Sequence, residues 1–270
     1  MSIEVGVFLP TSTPDPAVPV LGDIAGAARL AEDLGLDSVW STDHLIASAP
    51  ILDSTTVLGV AAGVTERIRI GYGVLLLALR PAPWAAKQIS TLQYVSGNRL
   101  EVGVGTGNPA HGDIGWRAAG QSFEDRGRRT DESLRVLPSL IAGEPTTLPD
   151  GTEVTLLPGT NVPPILVAGD GTRALRRAAE FGDGWIGIGQ SSEDVARNLA
   201  TLAELAAAHR RPAPYAVVVS PPLDEDPKRA AEQLAGYAEA GTRRVILPPK
   251  GADWRGAYEQ AATLRALVNA

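Results

Sequence analysis

The chain has 270 residues, of which 44% are hydrophobic, and its formal net charge at pH 7 is −7. This length suits one large domain with a sizeable core, and the acidic balance disfavours nucleic acid and anionic membranes as partners. The absence of cysteine excludes disulfides and thiol catalysis. No apolar run approaches the ~18 residues of a membrane span, and the amino terminus lacks the pattern of a signal peptide. We therefore expect a cytoplasmic protein.

Eight short apolar segments, each followed by a stretch with helical periodicity, are distributed along the whole chain. An eightfold strand–helix alternation over ~250 residues predicts a closed (β/α)₈ TIM barrel, here a single domain over residues 1–270. Active sites of such barrels lie at the carboxyl ends of the strands. The predicted strands are Ile3–Leu9, Ser38–Ser41, Ile68–Leu77, Arg99–Gly105, Pro164–Ala168, Gly184–Ile188, Ala216–Ser220 and Arg243–Leu247.

Capping residues mark several helix boundaries between these strands. Asp23 is predicted to cap a helix that ends at Gly35. A serine–aspartate capping box at Ser122 predicts one helix over 122–141, outside the barrel. The polar segment Thr146–Leu157 is predicted to form a hairpin between barrel units. Two further helix starts are predicted at Ser191 with Asp194, and at Asp226 with Pro227.

The second predicted strand is followed by Asp43 and His44. An isolated histidine is more often structural than catalytic. A carboxylate beside an imidazole at the site face of a barrel can, however, hold the imidazole pKa near neutral. His44 is therefore the candidate proton donor or acceptor, with Asp43 beside it. His209, at the end of a predicted helix, is interpreted as a solvated residue.

Glycine-rich turns follow the fourth and fifth predicted strands. The alternating glycines of 103–107 leave room for a planar or anionic ligand, and a tight turn without a ligand is the alternative. The run Gly169, Asp170, Gly171 and Thr172 precedes a helix whose free N–H groups could bind a phosphate, unless Thr172 only caps that helix. The spacing of these glycines differs from the dinucleotide-binding fingerprint.

Other barrel chemistries lack their residues. A metal-dependent hydrolase needs several strand histidines, whereas His44 alone lies at a strand end, so no metal centre is predicted. A Schiff-base aldolase needs a lysine on a strand, and the remaining candidate is Lys250 in the loop after the eighth strand.

The chain resembles the luciferase-like monooxygenase superfamily, relatives of bacterial luciferase that use FMN or the deazaflavin F420. The order and spacing of the matching segments extend over most of the chain. The segments are Ala31–Trp40, Asp43–His44, Thr65–Gly71, Arg80–Pro81, Ser96–Leu100, Gly103–Gly107, Ile165–Gly169 and Gly182–Trp185.

By position, the resemblance implies that Asp43 and His44 line the pocket of the cofactor ring. It implies a non-prolyl cis peptide between Gly73 and Val74, which backs the ring. The turn formed by Thr106, Gly107 and Asn108 and the loop Gly169–Thr172 correspond to the ribityl and phosphate contacts. Asn108 stands where a sugar-phosphate-oxidising branch has glutamate, so the resemblance does not extend to that substrate.

The resemblance also implies the reaction and partners. F420 is favoured over FMN by a composition typical of GC-rich genomes and by the Asp-His, Gly-Val and Gly-Thr-Gly-Asn motifs. The predicted activity is hydride transfer between F420 and a small organic substrate that the sequence does not identify. The alternatives are an FMN-dependent monooxygenase that uses O₂ and a non-catalytic flavin-binding barrel. We expect a homodimer that binds neither nucleic acid nor membrane.

Overall fold

Eight parallel strands close a barrel in the computed structural model, which describes residues 2–12, 22–249 and 253–269. The strands are β1 Glu4–Phe8, β2 Ser38–Ser41, β3 Arg69–Leu75, β4 Leu100–Val104, β5 Thr146–Thr147, β6 Glu153–Val154, β7 Ile165–Ala168, β8 Gly184–Ile188, β9 Tyr215–Val219 and β10 Thr242–Leu247. The strand order around the barrel is β1-β10-β9-β8-β7-β4-β3-β2. Each of the eight predicted barrel strands is confirmed to within two residues at either end.

Helices surround the barrel, and β5 and β6 pair as the antiparallel hairpin that the sequence predicts. Within the described ranges, no helix has the length and hydropathy needed to cross a bilayer. The helices are α1 Ile24–Asp33, α2 Ser54–Val64, α3 Ala82–Val95, α4 Ile114–Ala118, α5 Arg126–Ala142, α6 Thr172–Phe181, α7 Ser192–Ala208, α8 Pro227–Glu239 and α9 Trp254–Val268, with 3₁₀ turns at Leu77–Leu79 and Pro109–His111.

Most predicted helix starts are confirmed by cap hydrogen bonds. The Asp23 carboxylate accepts the Gly26 N–H at 2.8 Å, and Ser191 forms a reciprocal capping box with Asp194. The start predicted at Ser122 is wrong, because α5 begins at Arg126. Ser122 Oγ accepts the Asp125 N–H at 3.2 Å and thereby closes a separate turn before the helix.

The barrel interior is apolar and is built around the indole of Trp40. Leu166, Ile186, Val217 and Ile246 pack with Trp40 in one buried cluster. Glycines on the neighbouring strands make room for this ring: a Cβ at position 71 would lie 2.4 Å from the indole. Because the large side chain fills the barrel, the open space that remains is at the ends of the strands.

The amino end of the barrel is closed by charged side chains that have partners. Arg244 is 1% exposed and forms ion pairs with Glu101 and Glu4. The Arg99 guanidinium donates to the Ile68 and Ala62 carbonyl oxygens at 2.7 and 2.9 Å, among other acceptors. These bonds tie the segment before β4 to helix α2 and to the segment before β3. Arg99, a residue of the family motifs, therefore serves the fold.

Candidate active site

The carboxyl ends of five strands surround a cavity of about 530 Å³. All the predicted site residues except Gly171 and Thr172 line it. No lysine or arginine is among the lining residues within the described part of the chain. The lining residues are Thr42, Asp43, His44, Gly73, Val74, Leu76, Gly105, Thr106, Gly107, Asn108, Pro109, Ala168, Gly169, Asp170 and Ile188.

Asp43 is 3% exposed and its carboxylate is fully engaged by the protein. Oδ1 accepts the Ser54 hydroxyl at 2.9 Å and Arg80 Nη2 at 3.0 Å. Oδ2 accepts the Leu76 N–H at 2.9 Å and lies 3.0 Å from Arg80 Nη1. These contacts join the end of β2 to the segment after β3. The geometry therefore favours Asp43 as a residue that orients the segment carrying His44, and its predicted role in catalysis stays a prediction.

His44 is half-buried and its ring meets the ring of His111 edge to face. The ring centroids are 4.8 Å apart and the planes are inclined by 66°. Burial lowers the pKa of His44, the neighbouring His111 lowers it further, and Asp43 partly offsets both effects. At neutral pH the imidazole is therefore mainly uncharged, which leaves it able to accept a proton.

Sequence reasoning missed His111, which the 3₁₀ turn Pro109–His111 brings to the site. This turn follows β4 directly, at the carboxyl end of the barrel. A histidine within a few residues of a barrel strand's carboxyl end, after an Asn-Pro turn signal, was the pattern that could have found it.

Two of the alternating glycines, Gly103 in β4 and Gly105 directly after it, make room for the protein itself. A Cβ at Gly103 would lie 2.2 Å from the Tyr72 carbonyl oxygen, and one at Gly105 would lie 2.5 Å from Val74 Cγ2. Packing within the protein therefore requires these two glycines, and the ligand role of the run stays a prediction. The Gly73–Val74 peptide bond is cis, as the resemblance implies, and the pairing of β3 with β4 shifts register there.

The remaining two predicted residues begin α6, beside a second cavity of about 570 Å³. Gly171 is the N-cap of this helix and borders that cavity, while Thr172 is exposed and is the first helical residue. Thr172 therefore does not cap the helix. Thr106 borders both cavities, so they adjoin. The second cavity is lined by Thr106, Glu124, Arg126, Gly127, Arg128, Asp131, Arg135, Gly171, Arg173, Ala174 and Arg177.

Arginines from α5 and α6 make this second cavity basic, and sequence reasoning missed them. Arg177 pairs with Asp131, which leaves less of its charge available. Arg126 Nε is buried with no hydrogen-bond partner among the described residues. Arg173 forms no ion pair with any described residue. The Arg126 guanidinium also lies over the Phe123 ring, 3.7 Å from its centroid. Arg126 and Arg173 both line the cavity that Gly171 borders, so an anion there would lie near two cationic side chains and the free N–H groups of the helix.

Lys250, the Schiff-base candidate, lies outside the described residues.

Asp170 is a carboxylate that lines the first cavity. Partial burial raises the pKa of Asp170, although a hydrogen bond from the Ile188 backbone opposes this shift.

Comparison with known proteins identifies the family. The luciferase-like monooxygenase family model matches residues 3–267. A 5,10-methylenetetrahydromethanopterin reductase of Methanolobus tindarius is 30% identical over 250 residues, which cover 88% of this chain and 73% of that protein. An F420-dependent glucose-6-phosphate dehydrogenase of Beutenbergia cavernae is 34% identical over 180 residues, which cover 61% and 52% of the two chains. This chain thus spans only part of the length of these relatives.

The fold is shared with solved structures of similar length. An F420-dependent secondary alcohol dehydrogenase in complex with an F420-acetone adduct matches with a TM-score of 0.80 at 18% identity, over 99% of both chains. The predicted barrel and the predicted class, an F420- or FMN-dependent oxidoreductase, are both confirmed. Because the family model covers nearly all of the sequence, the chain belongs to the luciferase-like monooxygenase family.

Proposed function

We propose that this protein transfers a hydride between F420 and an uncharged small organic molecule. The observation that carries the proposal is the pairing of two adjoining cavities. One is open, lined by glycines and His44, and lacks cations among its described lining residues. The other is lined by arginines at the amino end of α6. A cofactor with a flat ring and a phosphate-bearing tail needs both environments side by side.

The residues present fit such a cofactor. The ring would lie against Gly73, Val74 and His44, and Thr106 to Asn108 would contact the linker. The phosphate would lie at the loop Gly169–Thr172, where Arg126 Nε lacks a partner among the described residues. Bound F420 supplies a carbon of its ring that can accept or donate a hydride.

His44 is the residue of this chain that would hold the transferred proton. Oxidation of an alcohol removes a hydride from carbon and a proton from the hydroxyl oxygen, and His44 would accept that proton in its uncharged form. In the reverse direction the protonated ring would return it. Asp43 is engaged by Arg80, Ser54 and the Leu76 N–H, so it would hold the segment that carries His44 and would not move a proton itself.

The charge of the first cavity supports an uncharged substrate. Asp43 and Asp170 are the carboxylates among its described lining residues. Asp43 is paired with Arg80, whereas Asp170 forms no ion pair with a described residue and would disfavour an anionic substrate. Around this cavity Leu45, Ile46 and Ile188 are exposed apolar side chains, at 54%, 41% and 51%. Apolar surface of this kind favours a substrate with a hydrocarbon part.

Titrating the purified protein separately with F420 and with FMN, and following tryptophan fluorescence, tests the cofactor. Trp116 packs beside Gly107, so a ligand in the first cavity should quench it. We expect F420 to bind at least about tenfold more tightly, and the reverse order would favour the FMN-dependent alternative.

Turnover tests the reaction. Holoenzyme should oxidise or reduce bound F420 with at least one member of a panel of neutral secondary alcohols and ketones. Tight F420 binding without turnover against any panel member or reductant would favour the non-catalytic barrel. The homodimer and the cytoplasmic location stay predictions, the first to be measured by sedimentation equilibrium.

A further inference from the structure

Two of the three histidines of the chain meet at the mouth of the first cavity. His44 follows β2, and His111 belongs to the turn after β4, so the two rings come from different barrel units. Both are half-buried, and the small space between their segments is bordered by His44, Gly107, His111 and Trp116, among others. The two rings are therefore brought into contact by the arrangement of the loops after β2 and β4 in the folded barrel.

Asn108 builds the turn that carries His111. Its Oδ1 accepts the Ala110 N–H at 3.0 Å, and its carbonyl oxygen accepts the His111 N–H at 3.1 Å. Gly112, at φ +68°, ends the turn and donates its N–H to the Pro109 carbonyl oxygen at 3.0 Å. An asparagine side chain that accepts a hydrogen bond two residues ahead is a well-known turn former. This position therefore shapes the loop.

We propose that His111 is a positioning residue for proton transfer by His44, and that Asn108 sets the turn which delivers it. This inference rests on the proposed function, since His44 is given its proton-transfer role there. His111 acts through His44: the edge contact fixes the plane of the His44 ring, and a charge on one ring opposes a charge on the other.

Among the described residues, His111 is the basic group whose ring contacts the ring of His44. Asp43 lies on the same segment but is neutralised by Arg80, and Asp170 lines the same cavity. Two imidazolium rings with centroids 4.8 Å apart would repel each other, so His111 opposes a charge on His44. The His44 ring therefore faces the cavity mainly uncharged at neutral pH.

Histidine NMR titration tests this inference directly, because three ring signals are easily resolved. His209→Gln, in which a residue at the end of α7 is replaced, assigns the spectrum and serves as the control. In the unaltered full chain we expect the His44 midpoint below the ordinary value of about 6.5. His111→Phe keeps an aromatic edge against His44 and removes the charge, so the midpoint should rise by roughly half a unit or more. In the His209→Gln variant, the His44 midpoint should stay at its value in the unaltered chain.

Two substitutions at position 108, one of which retains a hydrogen-bond acceptor, test the role of Asn108. Asn108→Ala removes the acceptor of the turn and should shift the His44 midpoint in the same direction as His111→Phe, whereas Asn108→Ser retains an acceptor and should restore it. In the double variant with His111→Phe, Asn108→Ala should add no further shift, because both act through one contact. Dispersed spectra of each variant show that it is folded.

The titration is performed on the chain alone and again with bound F420, and the pH profile of turnover is measured on the holoenzyme. We expect the acid limb of that profile to move with the His44 midpoint. A midpoint that stays within about 0.2 unit in both His111→Phe and His111→Ala overturns the inference. Loss of F420 binding or turnover in the unaltered protein would instead overturn the proposed function, and the titration of the chain alone tells these two failures apart.

Discussion

The two ends of the barrel use charged and polar residues in opposite ways. At the amino end Arg244 and Glu101 are both 1% exposed and pair with each other, and Arg99 donates to several carbonyl oxygens. At the carboxyl end His44 and Asn108 line an open cavity. A buried polar group with a partner stabilises the fold, whereas a polar group that lines a cavity can meet a ligand there.

This difference separates family motifs that serve stability from those that serve chemistry. In a TIM barrel, features at the amino end are expected to concern stability and features at the carboxyl end to concern catalysis. Arg99 belongs to the first kind, and we propose that His44 belongs to the second, although both lie in motifs that carry the resemblance. Substitutions at the two ends should therefore affect different measurements.

The largest expected effect is at the carboxyl end. His44→Ala should lower turnover by roughly 10²–10⁴-fold, because a residue that transfers a proton typically contributes that much. Cofactor affinity and the free energy of unfolding should change far less. Steady-state kinetics with F420, a binding titration and urea unfolding measure the three quantities. If affinity collapses while turnover at saturation holds, His44 only binds; His209→Ala is the control.

Arg244→Ala is the opposite case, at the amino end. It removes the buried partner of the Glu101 carboxylate, which then keeps only the 40% exposed Arg69 at 3.3 Å. The free energy of unfolding should fall by about 3 kcal/mol, the lower end of the range for a broken buried pair. Arg243→Ala is the matched control, because Arg243 is 45% exposed and lies 3.7 Å from Glu4, so its loss should cost at most about 1 kcal/mol. Urea unfolding measures both. Equal losses in the two variants would contradict the comparison of the two ends.

The strands and helices could be predicted because their hydrophobic periodicity is visible in the sequence without knowledge of which residues contact each other. Ser38–Ser41 and Gly184–Ile188 were predicted to the residue, since each is a short apolar run with clear flanking signals. The start of α5 was wrong because a serine–aspartate pair can close an isolated turn as well as open a helix. Local sequence does not tell these two outcomes apart.

The site was predictable where it lies on strand ends and not where it depends on packing between units. His44 follows a strand directly, whereas the contact with His111 requires the loops after β2 and β4 to be neighbours in space. The sequence places the arginines of α5 in a helix but does not show what that helix packs against. Only the placement of α5 beside α6 gathers them around one cavity.

Gly171→Val tests the anion site with a smaller effect. A Cβ at this position meets nothing within 4 Å, and its φ of −81° suits any residue, so the fold should be retained. The branched side chain should occupy the space at the helix amino end and weaken F420 binding at least about tenfold, or 1.4 kcal/mol. Affinity for the phosphate-free deazaflavin core should change much less. Equal losses for both ligands would mean that the loop does not hold the phosphate.

The smallest effect is expected from the charge of α6 itself. Arg173 and Arg176 are both exposed on this helix, but only Arg173 lines the second cavity. Arg173→Ala should weaken F420 binding by roughly threefold at low salt and less as salt screens the interaction. Arg176→Ala carries the same loss of net charge at a site outside the cavity, so it should leave the affinity nearly unchanged. Fluorescence titrations at 20 mM and 500 mM salt, about 20 Å and 4 Å in Debye length, measure this difference. If both variants weaken binding equally, the net charge of the protein, and not the cavity beside Gly171, attracts the cofactor.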